Sequence, residues 1–294
     1  MIEIFLNFQS LRFNPLKIAI VKILYVAELV GKAGIYALKK TIPEFKKKHG
    51  INFTIVCADG ATGGNGLGRH HAGYIKKLGA DAITTGDCCF YKKDLVDDWV
   101  PYVLRPYNLS EIPGDEKLPG FSWRVFKTTA GDNKNKEGAK VGVAVLLGSS
   151  FTRLRADNPF TKFPALLEKL KTQTPFIVLD FHAWASGEKK TLFAAAAGSC
   201  TAIIGSHNKV QTADEAILNG TAVLYDAGRT GSTESVGGNN IAARIWEYRT
   251  GIPDWTREAW DKCEVQGVII EADNNGKAMS IERIRIPVAT IERD

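Results

Sequence analysis

The sequence predicts a layered α/β sandwich in one domain, and three observations predict it. Apolar runs of strand length alternate with helix-length segments in the N-terminal third. Several of those runs end in a polar residue able to ligate a metal. Two further strand-like runs close the chain around Asn274-Asn275-Gly276, a hairpin signal. Alternating strands and helices imply parallel pairing through crossover helices.

Lys22 to Val26 reads as a buried strand, followed by Glu28, Gly31 and Gly34. A helix is expected from about Ile35 to His49, with Leu38, Ile42 and Phe45 at helical spacing. Asn52 to Cys57 is a second strand, ending at Asp59 and a glycine-rich stretch. A helix from about His70 to Leu78 precedes a third strand, Asp81 to Thr84, which ends at Gly86-Asp87-Cys88-Cys89. After Trp99 the rhythm changes. Phe121 to Lys127 and Lys140 to Leu147 look like an antiparallel pair around a polar, turn-rich stretch from Ala130 to Gly138.

Gly148 to Lys162 reads as a long loop, and Phe163 to Lys171 as a helix. Pro175 to Leu179 is a strand that ends at Asp180-Phe181-His182. Ser186 to Ala197 is a helix with Ser186 in an N-cap position. Thr201 to Ile204 is the central strand. It breaks at Gly205 and places His207 just past its end. Ala222 to Tyr225 is another strand, and Arg229 to Asn239 reads as a polar, glycine-rich loop over the same face. Cys263 to Glu271 and Ala278 to Arg285 form the closing hairpin.

Composition narrows the class. The chain has 294 residues, 45% hydrophobic and 24% charged, ordinary values for a globular protein with a large core. The net charge of +6 is modest and scattered, which argues against sequence-specific nucleic-acid binding and mildly favours anionic substrates. Lys46-Lys47-Lys48 reads as a solvated helix face. Five cysteines with no CxxC pair exclude a disulfide framework and a zinc ribbon, and point to a reducing, cytoplasmic setting. No run of about 18 uncharged apolar residues is present to span a membrane. Residues 1–21 read as an N-terminal extension, 22–286 as the domain and 287–294 as a tail.

Glu28, Asp59, Asp87, His182 and His207 stand at five strand ends. In open α/β sheets, ligands bind outside the carboxyl ends of the strands. Three carboxylates and two imidazoles suit a divalent transition metal. Each residue alone also has a bland reading: a helix cap for the carboxylates, a hydrogen-bonded core group for the histidines. Their recurrence at successive strand ends is the argument for a shared site. The glycine-rich stretch Gly60 to Gly68 is neither a P-loop nor a dinucleotide fingerprint, because both spacings are missing. Cys88 and Cys89 read first as buried core residues, with a site thiol or a metal ligand as the alternatives.

At Asp180-Phe-His-Ala, with Ser186 and Glu188-Lys189 following, the chain resembles the YmdB-type metallophosphoesterases. Gly205-Ser-His-Asn-Lys-Val-Gln-Thr-Ala-Asp214, Leu104-Arg105-Pro106 and Tyr225-Asp226-Ala227-Gly228 carry the same resemblance, which spans roughly Lys22 to Ile286. It implies a calcineurin-like α/β/β/α sandwich, hydrolysis of a phosphodiester or cyclic nucleotide, and one or two ions of Mn, Fe or Zn. It also makes a homo-oligomer plausible. The catalytic positions depart from the family pattern. Glu28 stands where the family has Asp, Asp59-Gly60 where it has Glu-Asn, Asp87-Cys88 where it has Asn-His, and Lys209 where it has the second His of His-x-His.

The resemblance implies one metal held by Asp59, Asp87, His182 and His207. The second would need Glu28, Asp59 and the position of Lys209, and an ammonium repels a cation, which leaves a one-metal site or an empty one. Lys209 would then occupy the place of the second ion, pair with Glu28 and Asp59, and supply charge to phosphate. Cys88 or a water would replace the missing acid. Two readings follow. One is a phosphoesterase with a modified or single-metal site. The other is a catalytically degenerate relative that binds a phosphate-containing ligand or a protein partner.

Overall fold

The structure, a computed structural model, describes residues 21–111, 117–128, 138–254 and 258–289. Nearly all of the expected N-terminal extension, the turn-rich stretch before Gly138 and the end of the C-terminal tail lie outside the described residues. The elements run in the order β1 (Val21–Val26), β2 (Glu28–Leu29), α1 (Gly31–His49), β3 (Phe53–Cys57), α2 (Arg69–Lys77), β4 (Ala82–Thr84), α3 (Lys93–Asp97) and β5 (Val103–Leu104). Next come β6 (Trp123–Lys127), β7 (Lys140–Leu147), α4 (Pro159–Lys171), β8 (Phe176–His182), α5 (Ser186–Ala196) and β9 (Ala202–Ser206). The chain finishes with β10 (Ala216–Leu218), β11 (Thr221–Leu224), β12 (Arg229–Ser232), α6 (Ile241–Thr250), β13 (Cys263–Ala272) and β14 (Ala278–Pro287).

Two sheets result. The first has eight strands in the order β2-β12-β13-β1-β3-β4-β5, with β14 beside β13. The second has six, ordered β10-β11-β9-β8-β7-β6. β1, β3, β4 and β5 pair in parallel, as do β7, β8, β9 and β11. β6 and β7 form the antiparallel pair, and β13 and β14 the closing hairpin.

The strand sequences explain the layers. A strand buried on both faces reads as a continuous apolar run. In β1, Ile23 and Tyr25 pack between the sheets against Val143, Val178 and Ile204. Leu24 and Val26 face outward and are covered by Leu38 and Ile42 of α1 and Ile75 of α2. In β8, Val178 faces the inter-sheet core, while Ile177, Leu179 and Phe181 pack under α4 and α5. The four layers are therefore α/β/β/α. Among the described residues no helix is long and apolar enough to cross a membrane, and all five cysteines are unpaired.

Several boundaries differ from the sequence expectations. α1 begins at Gly31, because Gly34 already donates to the Val30 carbonyl at 3.0 Å. α4 begins at Pro159, where the Asn158 side chain accepts from Phe160 N and proline takes the first turn, so the loop after Gly148 is shorter than expected. Ser186 is the first helical residue of α5 and caps nothing; Ala185 holds the N-cap place without a side-chain bond. β9 runs straight through Gly205. A Cβ there would overlap the Tyr225 carbonyl oxygen, so the glycine answers a close strand approach and not a break. Arg229 to Ser232, expected as loop, is a strand paired with β2 and β13. β5, β10, α3 and α6 had no sequence expectation; the first three are too short to show periodicity, and α6 buries only Ala243.

Candidate metal centre

The carboxyl ends of the strands converge on one cluster. β8 delivers His182 as its last residue, and β9 delivers His207 one residue past its end. Asp59 follows β3, Asp87 follows β4, and Glu28 opens β2. Ligand atoms of Asp87, His182 and His207 all lie within 4.8 Å of one another, as do those of Asp59, Asp87 and Cys88. His182 Nε2 is 3.0 Å from Asp87 Oδ1, 3.7 Å from Asp59 Oδ2 and 3.1 Å from His207 Nδ1. His207 Nδ1 is 3.8 Å from Asp87 Oδ1.

The protonation pattern follows from that crowding. Burial pushes His182 downward, but the Asp87 hydrogen bond and the Asp59 charge outweigh it and lift the imidazole to about 9. Burial, then the His182 charge, drives His207 down to about 3. Burial raises Asp59 to about 7 against the pull of His182. For Asp87, burial acts upward, yet the bonds and charges of His182 and His207 hold it below the usual carboxylate range. The positive charge of the metal-free cluster thus sits on the His182 ring, between the Asp87 carboxylate and a neutral His207 imidazole at 3.1 Å. A divalent cation would answer the same need, so the donor set fits one.

Glu28 lies to one side. It is 2% exposed, and its Oε1 sits 3.2 Å from Lys209 Nζ. Its Oε2 is buried without a hydrogen-bond partner among the described residues. Burial raises the Glu28 carboxyl, with Lys209 pulling it back; the charge of Glu28 holds the Lys209 ammonium well above its ordinary value. The Asp59 charge also raises Lys209, while its own oxygens accept from Gly86 N and Cys88 N.

Register fixes the orientation of His182. β8 and β9 pair His182 with Ser206. Residues two apart on a strand share a face, which puts Asp180 beside them. Ser206 Oγ donates to Asp180 Oδ1 at 2.6 Å, and Tyr25 and Thr84 donate to Asp180 Oδ2 at 2.7 and 2.5 Å. With its own proton committed, Ser206 Oγ accepts from His182 Nδ1 at 2.9 Å. Nε2 is then the nitrogen aimed into the cluster: it donates its proton to a hydrogen bond with Asp87 in the metal-free protein and offers a lone pair once that proton has left. Gly86 closes over the ring, where a Cβ would collide with His182 Nε2.

A second buried network holds the loop after β9. His207 and Lys209 both carry positive φ, 98° and 62°. Such backbone persists only where the surroundings over-determine it. Lys189, fully buried, donates to the Ser206 carbonyl and to Asp226 Oδ2, both at 2.8 Å. Asp226 also accepts from Asn208 N and Gly228 N, each at 2.9 Å, and Arg229 Nη1 donates to the Lys209 carbonyl at 3.1 Å.

All seven residues singled out from the sequence lie here: Glu28 and Lys209 as a pair, the other five as the cluster. Cys88 is half-buried, with Sγ 3.8 Å from Asp87 Oδ1, and burial followed by the Asp59 and Asp87 charges pushes its thiol far up. Sequence reasoning assigned no role to Ser206, Asp180, Lys189 or Asp226. The signal for the first two was the spacing: Asp180 two residues before His182, and Ser206 directly before His207. Trp184, stacked on His207 with ring centroids 4.5 Å apart and planes 22° apart, carried no such signal.

Comparison with known proteins gives the chain a family and a fold. A family model described as YmdB-like protein matches residues 24–284. A Bacillus subtilis 2′,3′-cyclic-nucleotide 2′-phosphodiesterase is 34% identical, over 90% of this chain and 97% of its own. A solved structure described as a novel phosphatase from Mycoplasma pneumoniae superposes with a TM-score of 0.82 at 29% identity, covering 92% of this chain and 94% of its own. A hypothetical protein from Thermus thermophilus, at 23% identity and a TM-score of 0.79, shares the fold over 92% of this chain and 100% of its own. The fold is the calcineurin-like sandwich, and the chain belongs to the YmdB-like protein family.

Proposed function

We propose that the chain is a metal-dependent phosphoesterase that hydrolyses a phosphodiester or cyclic nucleotide at a site with one metal and one built-in ammonium. The observation that carries this reading is the convergence of Asp87, His182 and His207 beside a Glu28 already paired with Lys209. Asp59, Asp87, His182 and His207 would hold the ion. The chemistry such an ion supplies is Lewis-acid activation of phosphate and of water.

The protein's own residues do the rest. The Ser206–Asp180 chain keeps His182 Nε2, rather than Nδ1, directed at the cluster. Gly86 N and Cys88 N fix the Asp59 carboxylate. Lys209, largely buried and pinned by Glu28, presents positive charge to a phosphate oxygen without changing position. A proton donor works best with a pKa near the operating pH. The Cys88 thiol lies far above that range, so it serves as a hydrogen-bond donor and water supplies the proton to the leaving group. The similarity to a 2′,3′-cyclic-nucleotide phosphodiesterase points to that substrate class.

The test is hydrolysis of a 2′,3′-cyclic nucleotide by protein loaded with Mn²⁺. Activity that a chelator abolishes, and that His182→Ala and His207→Ala remove together with the bound metal, supports the reading. Metal content and hydrolysis unchanged in both variants would show that the site is elsewhere.

A further inference from the structure

The rim of the metal centre carries two large exposed rings that the phosphoesterase chemistry does not use. Trp184 follows His182 by two residues and is 43% exposed. One face of its indole lies on the His207 imidazole, nearly parallel at 22°. Phe151 is 76% exposed, with its ring centroid 6.4 Å from that of Trp184. The three rings form a continuous aromatic path from the candidate ligand His207 to solvent.

The backbone holds Phe151 in place. Its φ of 63° is unusual for a bulky residue. The preceding loop is tied down by Glu188: Ser149 N and Oγ donate to Oε1 at 2.7 and 2.8 Å, and Ser150 N donates to Oε2 at 3.3 Å. Backbone strain of this kind clusters at ligand clamps. Here three hydrogen bonds to one carboxylate keep an apolar ring out in water, where it gains nothing from the core.

We propose that Trp184 and Phe151 form a nucleobase platform, so that the substrate of this centre is a nucleotide recognised by its base as well as its phosphate. The inference rests on the phosphoesterase reading for the position of the phosphate. Every base has a π-face, so aromatic stacking binds bases with little selectivity among them. A phosphate held beside His207 leaves the sugar and base of a nucleotide to extend outward along this path. The platform therefore accepts purines and pyrimidines alike, and discriminates against phosphates that lack a base.

The experiment is calorimetric titration of the full-length, Mn²⁺-loaded protein with AMP, ribose 5-phosphate and adenosine. The wild type is expected to bind AMP about 10-fold or more tightly than ribose 5-phosphate. Phe151→Ser and Trp184→Leu are each expected to reduce that ratio to about threefold or less. Phe151 is exposed enough that its replacement leaves the core intact. A wild-type ratio near one, or a ratio unchanged in both variants, would overturn the platform alone. Adenosine binding that depends on Phe151 or Trp184, with no binding of ribose 5-phosphate, would keep the platform and count against the phosphoesterase reading. No binding of any of the three would overturn both.

Discussion

Lys209 Nζ lies 3.2 Å from Glu28 Oε1, and the carboxylate it neutralises is almost wholly buried. Breaking a buried pair by removing one partner costs about 3–5 kcal/mol, because the remaining charge is left uncompensated. Lys209→Met is therefore expected to lower stability by roughly that amount at pH 8. The loss should shrink toward pH 5, since Glu28 is already raised by burial and takes up a proton more readily once the ammonium is gone. Chemical denaturation at the two pH values measures the difference. An equal loss at both would mean that Glu28 does not change its protonation between the two pH values.

Replacing the same lysine with a ligand should open the second position. Lys209→His removes the fixed ammonium and leaves Glu28, with its unpartnered Oε2, beside Asp59. The expected outcome is an additional equivalent of Mn²⁺ per chain by elemental analysis, together with faster hydrolysis. No gain in bound metal would show that Lys209 is not what keeps a second ion out.

The Ser206 hydroxyl bridges His182 Nδ1 and Asp180 Oδ1, and this side-chain relay sets the His182 tautomer. Partners of this kind typically matter by about 10–100-fold in metal affinity. Ser206→Ala is expected to weaken Mn²⁺ binding by about that factor while the fold is retained, as read by metal titration and circular dichroism. Metal affinity equal to wild type would remove the orienting chain from the account.

In chelator-treated protein, stability should fall as pH rises from about 7 to 9. His182 is lifted to about 9 from an unfolded value of 6.5, so the folded state binds that proton more tightly. The resulting stability is complete below 6.5 and is lost as pH passes through 9. The span corresponds to a change on the order of 2–3 kcal/mol. Thermal melts across this range check it, and His182→Gln should flatten the slope. A slope as steep in the variant as in the wild type would place the titrating group elsewhere.

The parts of this architecture that depend on local pattern were readable in the chain. A continuous apolar run such as Phe176 to Leu179 announces a strand buried on both faces, and the residue that ends it announces the site edge. Glu28, Asp59, Asp87, His182 and His207 were picked out that way as candidates. Local pattern could not show why Gly205 is a glycine, because the Tyr225 carbonyl that demands it lies just past the neighbouring β11. It could not show that Arg229 to Ser232 is a strand, since a short polar segment becomes one only when β2 and β13 offer it partners. The Lys189–Asp226 pair and the Trp184–His207 stack likewise exist only through tertiary contact. The family resemblance supplied what spacing could not: a reason to weigh Lys209 against the carboxylates.

The most direct test of the one-metal, one-ammonium centre is the metal stoichiometry of the wild-type protein. Elemental analysis of protein purified without chelator, repeated after Mn²⁺ loading, should give one ion per chain in both preparations. Two ions would show that Lys209 yields its place beside Glu28. No ion after loading would contradict the metal centre itself.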